Sequence, residues 1–352
     1  MPTVAPGSKI LVTGANGYIA VWVVRTLLEQ GYAVRGAVRS TSKGAFLLDE
    51  FKSYGDQFEL VIVDDFLKEG AFDEAVKGID AIQHLAAPVT LDFKDPKDVI
   101  DPAVNGTLEI LRSAQRTSTV KRVIFLGSTV TIFKDVDRPL DENDWNEACL
   151  EEYEKKGVDT PKLTVYQVEK VLSERAAWSF YNENKNQLSW DLSVVIPPFV
   201  FGPYIGAALT PRDLNFSSKT FYDYVVDFNN TGQPNEALIS LPHSWVDVRD
   251  LSSAVTQLLS VEAAAEGRII VRAGATTMQD WVDAANSLSP SPIPSHAPGT
   301  AKALPIGNPG AGRTVKKPAV DTSKEKRILG LKFRTLEECV RDVLADYERR
   351  GW

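Results

Sequence analysis

Tyr166 and Lys170 stand four residues apart in the stretch T-V-Y-Q-V-E-K, a spacing that puts both on one face of a helix. A phenol with its ordinary pKa of about 10 is a poor acid–base catalyst at neutral pH. An ammonium one helical turn along stabilises the phenolate and makes the two residues a usable proton-transfer pair. The stretch V-I-F-L-G-S-T reads as an apolar strand ending at Ser128 and Thr129. A hydroxyl at such a strand end can donate to a carbonyl oxygen beside the phenol. Ser128 is the first choice for that role, with Thr129 as the neighbouring alternative.

These side chains need a frame, and the chain begins with one. Lys9 to Ala20 reads K-I-L-V-T-G-A-N-G-Y-I-A. Ile10, Leu11 and Val12 form a short strand, and an apolar pattern of helical period follows at Ile19, Val23 and Leu27. Gly14 permits a tight turn between them, and Gly17 lets a pyrophosphate approach the backbone. The helix N-terminus adds free N–H groups and a partial positive charge. The spacing is G-x-x-G-x-x-A, with Ala20 at the third position. Gly14, Asn16, Gly17, Tyr18 and Ile19 are therefore candidates for holding a dinucleotide. The second strand ends A-V-R-S-T-S-K, with no acid to take a ribose 2′-hydroxyl. Arg39, with Ser40 and Lys43 after it, can instead pair with the 2′-phosphate of NADP. Asp65 is placed to meet the adenine edge, with Asp64 as an equal alternative and Phe66 beside it. Leu85, Ala86 and Ala87, at the end of the fourth strand, complete that side.

Strand and helix patterns alternate along the chain. Strands are predicted at Ala33 to Val38, Leu60 to Val63, Ala81 to Leu85, Arg122 to Leu126 and Leu192 to Ile196. Helices are predicted at Lys43 to Tyr54, around Ala71 to Lys77, through Val104, Leu108 and Leu111, and at Leu163 to Asn184. Such alternation predicts an α/β fold of Rossmann type: a doubly wound parallel sheet with helices on both faces. Asp135 to Asp159 is acidic and without period, and reads as a surface excursion. Later come a helix near Lys219 to Phe228, a strand at His243 to Val246 and a helix at Val248 to Leu259. A strand at Arg268 to Val271, a helix at Met278 to Leu288, a Pro/Gly/Ser-rich loop at Ser289 to Gly312 and a last helix at Leu336 to Arg349 follow. Residues 1–200, with a returning segment at about 243–262, are expected to form the nucleotide domain. Residues 201–352 are expected to form mainly a smaller substrate-binding part.

The chain has 352 residues, of which 43% are hydrophobic, enough for one large domain or two ordinary ones. The net charge of −8 argues against nucleic acid as a partner. Two cysteines, Cys149 and Cys339, have no metal-type spacing and suit a reducing compartment. The histidines, His84, His243 and His296, are too scattered to suggest a metal site. The N-terminal residues do not read as a signal peptide, and no apolar run reaches transmembrane length. A cytoplasmic protein is expected, without a membrane partner, as monomer or homodimer.

With these residues placed, the chain resembles the extended short-chain dehydrogenase/reductase family over nearly all of its length. It is most similar to the branch holding methylglyoxal (isovaleraldehyde) reductases, carbonyl reductases and dihydroflavonol reductases. The segments that carry the resemblance include V-T-G-A-N-G-Y-I-A, H-L-A-A-P, P-A-V-N-G-T, Y-Q-V-E-K, P-P-F-V-F-G-P, W-V-D-V-R-D-L and P-I-G-N-P-G-A-G. The resemblance implies Ser128, Tyr166 and Lys170 as a catalytic triad and Arg39 as the selector of NADP. It implies that Pro197 and the V-F-G-P segment beginning at Val200 line the nicotinamide end. It raises Val89, Phe133, Leu163 and Phe199, with Thr129, to substrate-binding candidates. His84 reads as structural. Two residues depart from the family pattern: Glu169 stands where serine is common before the lysine, and Gly127 replaces a frequent serine before Ser128.

An apolar, aromatic-lined pocket suits a hydrophobic aldehyde or ketone. The expected activity is NADPH-dependent reduction of that carbonyl, with Tyr166 as the proton donor. One alternative on the same fold is a nucleotide-sugar epimerase or dehydratase. Arg39, and the lack of a clear basic cluster for a diphosphate, count against it. A second alternative is a non-catalytic NADP-binding regulator, which would not need the Tyr166–Lys170 pair.

Overall fold

The computed structural model describes residues 3–87 and 92–352, so the substrate candidate Val89 lies outside the described residues. The strands are β1 Lys9–Thr13, β2 Ala33–Val38, β3 Phe58–Ile62, β4 Ala81–His84, β5 Arg122–Leu126 and β6 Asp191–Ile196, followed by β7 Phe199–Phe201, β8 His243–Asp247, β9 Gly267–Ile270 and β10 Gly274–Thr276. The α-helices are α1 Tyr18–Glu29, α2 Thr41–Glu50, α3 Lys97–Gln115, α4 Glu147–Lys156 and α5 Lys162–Asn184, then α6 Phe216–Phe221, α7 Val248–Gln257, α8 Met278–Ser287, α9 Ser323–Ile328 and α10 Leu336–Arg350.

The chain forms two compact units. The first comprises Met1–Ile196, Ser252–Ile270 and Asp321–Gly330. Its seven strands are ordered β3-β2-β1-β4-β5-β6-β9, and every neighbouring pair is parallel. This is the doubly wound order, which reverses direction after β1 and opens a crevice at the carboxyl ends of β1 and β4. Strands buried on both faces must be apolar almost throughout, and β6 is buried at every residue. Its Asp191 and Ser193 are tolerated because both are bonded. Ser193 donates to the Ala264 carbonyl at 2.8 Å. Asp191 takes the Arg122 guanidinium on both oxygens, at 2.6 and 3.0 Å. Arg122 also donates to the carbonyls of Leu258 and Val261. Both members of this pair are fully buried.

The second unit comprises Pro197–Leu251, Val271–Val320 and Leu331–Trp352. It holds a three-stranded sheet, β10-β8-β7. Phe201, Trp245 and Phe221 pack edge-on around Trp281, with centroids 4.8, 4.9 and 5.6 Å away. The Pro/Gly-rich stretch before Gly312 is a loop, as expected, but it is pinned to α8. Gln279 donates to the Ile306 carbonyl and accepts from the Asn308 amide, and Asp283 accepts from the Gly310 amide.

Several elements differ from the sequence expectation. The excursion at Asp135 to Asp159 contains the helix α4, whose charges on every side hide its period. Its N-cap, Asn146, accepts from the Cys149 amide. The helix expected around Ala71 to Lys77 is a run of turns. The helix expected near Lys219 to Phe228 breaks into α6, a wide π-type turn at Tyr222–Val226 and a 3₁₀ turn at Phe228–Asn230. Helix α2 stops at Glu50, and a 3₁₀ segment follows at Lys52–Gln57.

β1 and β4 are locked side by side at their carboxyl ends. The Thr13 hydroxyl bonds the His84 ring at 2.9 Å and accepts from the amides of Leu85 and Ala86. His84 is buried, and burial together with the charge of Lys170 pushes its pKa from 6.5 down to about 4. The unfolded chain therefore binds more protons than the folded one between these values. The stabilisation is complete above about pH 6.5 and is lost as pH falls toward about 4.

Two predictions follow from these contacts. Asp191→Asn should cost about 3–5 kcal/mol in urea unfolding, because it leaves a buried guanidinium without its countercharge. A cost under about 1 kcal/mol would show that the pair is not what joins β5 to β6. Wild type should lose about 2 kcal/mol between about pH 7 and about pH 5 through His84, a loss that His84→Asn should remove. Equal losses in the two proteins would assign the acid sensitivity elsewhere.

Candidate active site

The turn between β1 and α1 is built as a cradle. Gly14 has φ +63°, and a Cβ there would press on the Ala86 backbone at 3.0 Å. The turn and the strand end at Ala86 are thus in direct contact. Gly17 is the N-cap of α1, with no side-chain cap and no acid in the first turn. The N-terminus of this helix, with no carboxylate in its first turn, favours an anion there. Asn16 and Ile19 are half-buried around the turn and Tyr18 is buried. Leu85 is half-buried, and Ala86 and Ala87 are exposed beside it.

At the neighbouring strand end Arg39 is exposed, and Ser40 stands at the N-cap position of α2 without a side-chain capping bond. Ser40 Oγ lies 3.0 Å from Ser42 Oγ, and Lys43 is exposed on the first turn of α2. Asp65 is exposed, and its carboxylate accepts from the Leu67 amide at 3.0 Å. The Phe66 ring is engaged on α3: a Cβ on Gly106 would come within 2.7 Å of it. Gly106 in N-G-T therefore makes room for that ring.

Ser128 lies two residues past the end of β5, at the N-cap of the short helical turn Thr129–Ile132, and is 8% exposed. Its Oγ accepts weakly from the Val130 amide at 3.4 Å, and its carbonyl takes the Thr131 hydroxyl at 2.8 Å. Thr129, the neighbouring alternative, is buried to the same degree, at 6% exposure. Phe133 and Leu163 are exposed, by 44% and 58%.

Helix α5 brings Tyr166 and Lys170 together, with Lys170 Nζ 5.6 Å from the Tyr166 ring centroid. Tyr166 is half-buried and Lys170 is buried. Burial works against the Lys170 ammonium, but the Glu169 carboxylate and the Tyr166 oxygen together outweigh it and hold its pKa above the usual value. Glu169 Oε1 lies 3.4 Å from Nζ. Burial pushes the Glu169 carboxyl up against the pull of Lys170. Lys170 also acts on His84, which places the ammonium near the end of β4.

Sequence reasoning missed the residues that aim this arrangement. Asn146 donates from one side-chain nitrogen to the Val130 carbonyl at 3.0 Å and to the Gln167 side chain at 3.1 Å. Its amide donates to the Thr131 carbonyl at 2.8 Å. It therefore joins the turn after Ser128 to the residue following Tyr166. Its signal in the sequence is the Asn before the acidic first turn of α4. Arg268 holds the same turn from β9. It donates to Glu174 at 2.6 Å, to the Thr131 hydroxyl at 2.9 Å and to the carbonyls of Glu142 and Asp144. Its guanidinium carbon also lies 4.0 Å from the Trp145 ring centroid.

Three candidates belong to the second unit. Pro197 and Val200 are buried, and Phe199 is half-buried. The Phe199 ring stacks on Phe201 at 5.8 Å and contacts the His243 ring at 5.1 Å.

The comparisons with known proteins agree with this frame. The model of the NAD dependent epimerase/dehydratase family matches residues 10–273. The ketoreductase azaE of Aspergillus niger is 33% identical over 353 residues, covering 96% of each chain. Aldehyde reductase 2 of Sporidiobolus salmonicolor is 32% identical over 351 residues, covering 96% of this chain and 95% of that protein. Among solved structures, yeast methylglyoxal/isovaleraldehyde reductase Gre2 complexed with NADPH superposes with a TM-score of 0.80 at 28% identity, covering 97% of this chain and 99% of that one. The chain belongs to the NAD dependent epimerase/dehydratase family, the extended short-chain dehydrogenases/reductases.

Proposed function

We propose that this protein reduces a small aldehyde or ketone to an alcohol with NADPH, and that Tyr166 delivers the proton. The observation that carries the reading is the Tyr166–Lys170 pair, 5.6 Å apart on one helix face and close to the end of β4. NADPH fits the residues present. The N-cap of α1 is a glycine, with no side chain and no acid in the first turn to compete with a pyrophosphate. Arg39 and Lys43 stand exposed where an NAD-binding chain would carry an acid. The named relatives, a ketoreductase, an aldehyde reductase and a methylglyoxal reductase solved with NADPH, support the same reading.

When bound, NADPH supplies the hydride that reaches the carbonyl carbon. The chain's own groups handle the oxygen. Ser128 donates a hydrogen bond to it, which strengthens as negative charge develops there. Tyr166 gives its proton to that oxygen, and Lys170 stabilises the phenolate left behind. Thr129, the next residue and buried in the turn, is the neighbouring hydroxyl. Phe133 and Leu163 offer exposed apolar surface on the same unit for the substituents of the carbonyl. Pro197 and Val200 are proposed as cofactor-binding residues and Phe199 as a substrate-binding residue, as the family resemblance implies. A basic residue at the end of β2 weighs against the epimerase reading, which would favour an acid there.

Tyr166→Phe should nearly abolish carbonyl-dependent NADPH oxidation and leave NADPH binding, followed by fluorescence titration, within about twofold of wild type. Near wild-type turnover would move the proton donor elsewhere. Arg39→Ala should weaken NADPH binding by about 1.5–3 kcal/mol, the loss of a charge-assisted contact, and leave NADH binding unchanged. Parallel losses for the two cofactors would remove Arg39 from 2′-phosphate recognition.

A further inference from the structure

Glu169 lies between the two catalytic residues in sequence and is buried beside one of them. It is 2% exposed. One carboxylate oxygen stands 3.4 Å from Lys170 Nζ, and the other, Oε2, has no hydrogen-bond partner among the described residues. Ser173, one turn further on the same helix face, carries another buried hydroxyl without a partner. Packing alone does not account for this arrangement. A buried carboxylate with one oxygen unsatisfied destabilises the helix, whereas a small neutral residue would fill the site at less cost. What the carboxylate adds here is a negative charge closer to the ammonium than the Tyr166 ring is, 3.4 Å against 5.6 Å.

We propose that Glu169 is a positioning residue acting through Lys170: its carboxylate offsets part of the ammonium's field, so that Tyr166 keeps its proton to higher pH and remains a donor for carbonyl reduction. The inference rests on the reading of Tyr166 as the general acid.

Among the described residues, the charged groups on the neighbouring elements are engaged elsewhere or exposed. On α5 the groups that act on Lys170 are Glu169 and Tyr166. From β4, His84 is pushed down to about 4 and is neutral over the working range. On α3, Glu109 is taken by Arg112 and the Gly70 amide, Asp98 accepts from the Asp95 amide, and Asp101 is exposed. On α4, Glu147 pairs with Arg175, and Glu152 with Lys156 and Thr164. The short helical turn after Ser128 carries no ionisable side chain. Glu169 and Lys170 therefore titrate as a coupled pair, and the charge on one decides the field of the other.

The test is the pH dependence of kcat/KM for carbonyl reduction in wild type, Glu169→Gln and Glu169→Ser, with Tyr166→Phe as control and thermal unfolding alongside. Removing the negative charge leaves more of the ammonium's field on Tyr166. The alkaline limb should then fall at a pH lower by about one unit in both variants. The acid limb of alcohol oxidation should move down with it, and the KM for NADPH should stay within about twofold. Limbs that stay in place in both variants overturn the proposal, even if kcat and melting temperature drop at every pH, since that is the mark of a structural role. A limb that moves upward also overturns it, because the carboxylate would then serve only to keep Lys170 protonated. If Glu169→Gln fails to fold, Glu169→Ser alone decides. A Tyr166→Phe protein that still turns over removes the general-acid reading and this inference with it. An inactive Tyr166→Phe protein with unmoved limbs in the Glu169 variants removes this inference only.

Discussion

Arg122, Arg268 and Lys170 are three cations of the first unit that are 0%, 7% and 6% exposed, and each stands against a carboxylate. Taking a charge out of water is tolerated only when a countercharge and further hydrogen bonds replace the lost hydration. The three pairs meet that requirement to different degrees. Arg122 grips both oxygens of Asp191 and uses its remaining donors on two carbonyls. Arg268 does the same with Glu174, Thr131 and the carbonyls of Glu142 and Asp144. Lys170 has a single contact of 3.4 Å with Glu169, whose other oxygen is unmatched. The two arginine pairs fasten the sheet and the turn after Ser128. The lysine pair is left loosely satisfied, on the face that carries Tyr166.

This distribution has a consequence for rigidity. Arg268 and Asn146 converge on the short helical turn after Ser128 from β9 and from the cap of α4. Asn146 reaches Gln167 as well, so the turn and the Tyr166 helix share one fixed bridge. A hydroxyl and a phenol meant to meet one carbonyl oxygen must hold their relative placement to within a fraction of an ångström. Here that placement comes from hydrogen bonds of Asn146 and Arg268 to the Val130 carbonyl, the Thr131 hydroxyl and the Gln167 side chain.

The sheet of the first unit was legible because its strands are apolar almost throughout and alternate with helices of clear period. β2 and β5 begin and end where the sequence places them. The Tyr166–Lys170 pair was legible because its spacing is local. What escaped was set by contacts distant in sequence. Arg268 meets Glu174 across 94 positions and Thr131 across 137, and no local pattern marks such partners. Helix α4 escaped because E-A-C-L-E-E-Y-E-K-K carries charge around most of its circumference and buries only Cys149. The helix expected near Ala71 failed for the opposite reason. Its apolar residues Phe72, Ala75 and Val76 are buried as a helical pattern would predict, yet the stretch lies between Gly70 and Gly78, both at positive φ, and is held as turns.

The two departures from the family pattern differ in kind. Gly127 is explained by packing. A Cβ there would meet Glu174 Oε2 at 3.2 Å and the Val195 carbonyl at 3.3 Å, so the carboxylate that holds Arg268 occupies the space a side chain would need. That substitution is the other half of the Arg268–Glu174 pair, and the two are one structural choice. Glu169 has no such partner in the packing, and the one charged group that acts on it among the described residues is Lys170, the lysine it precedes. One departure therefore belongs to the scaffold, while the other adds a charge at the place where charge bears on proton transfer. A site can keep its reacting groups and still be tuned by the residue beside them, because an electrostatic field in a buried environment extends past direct contact.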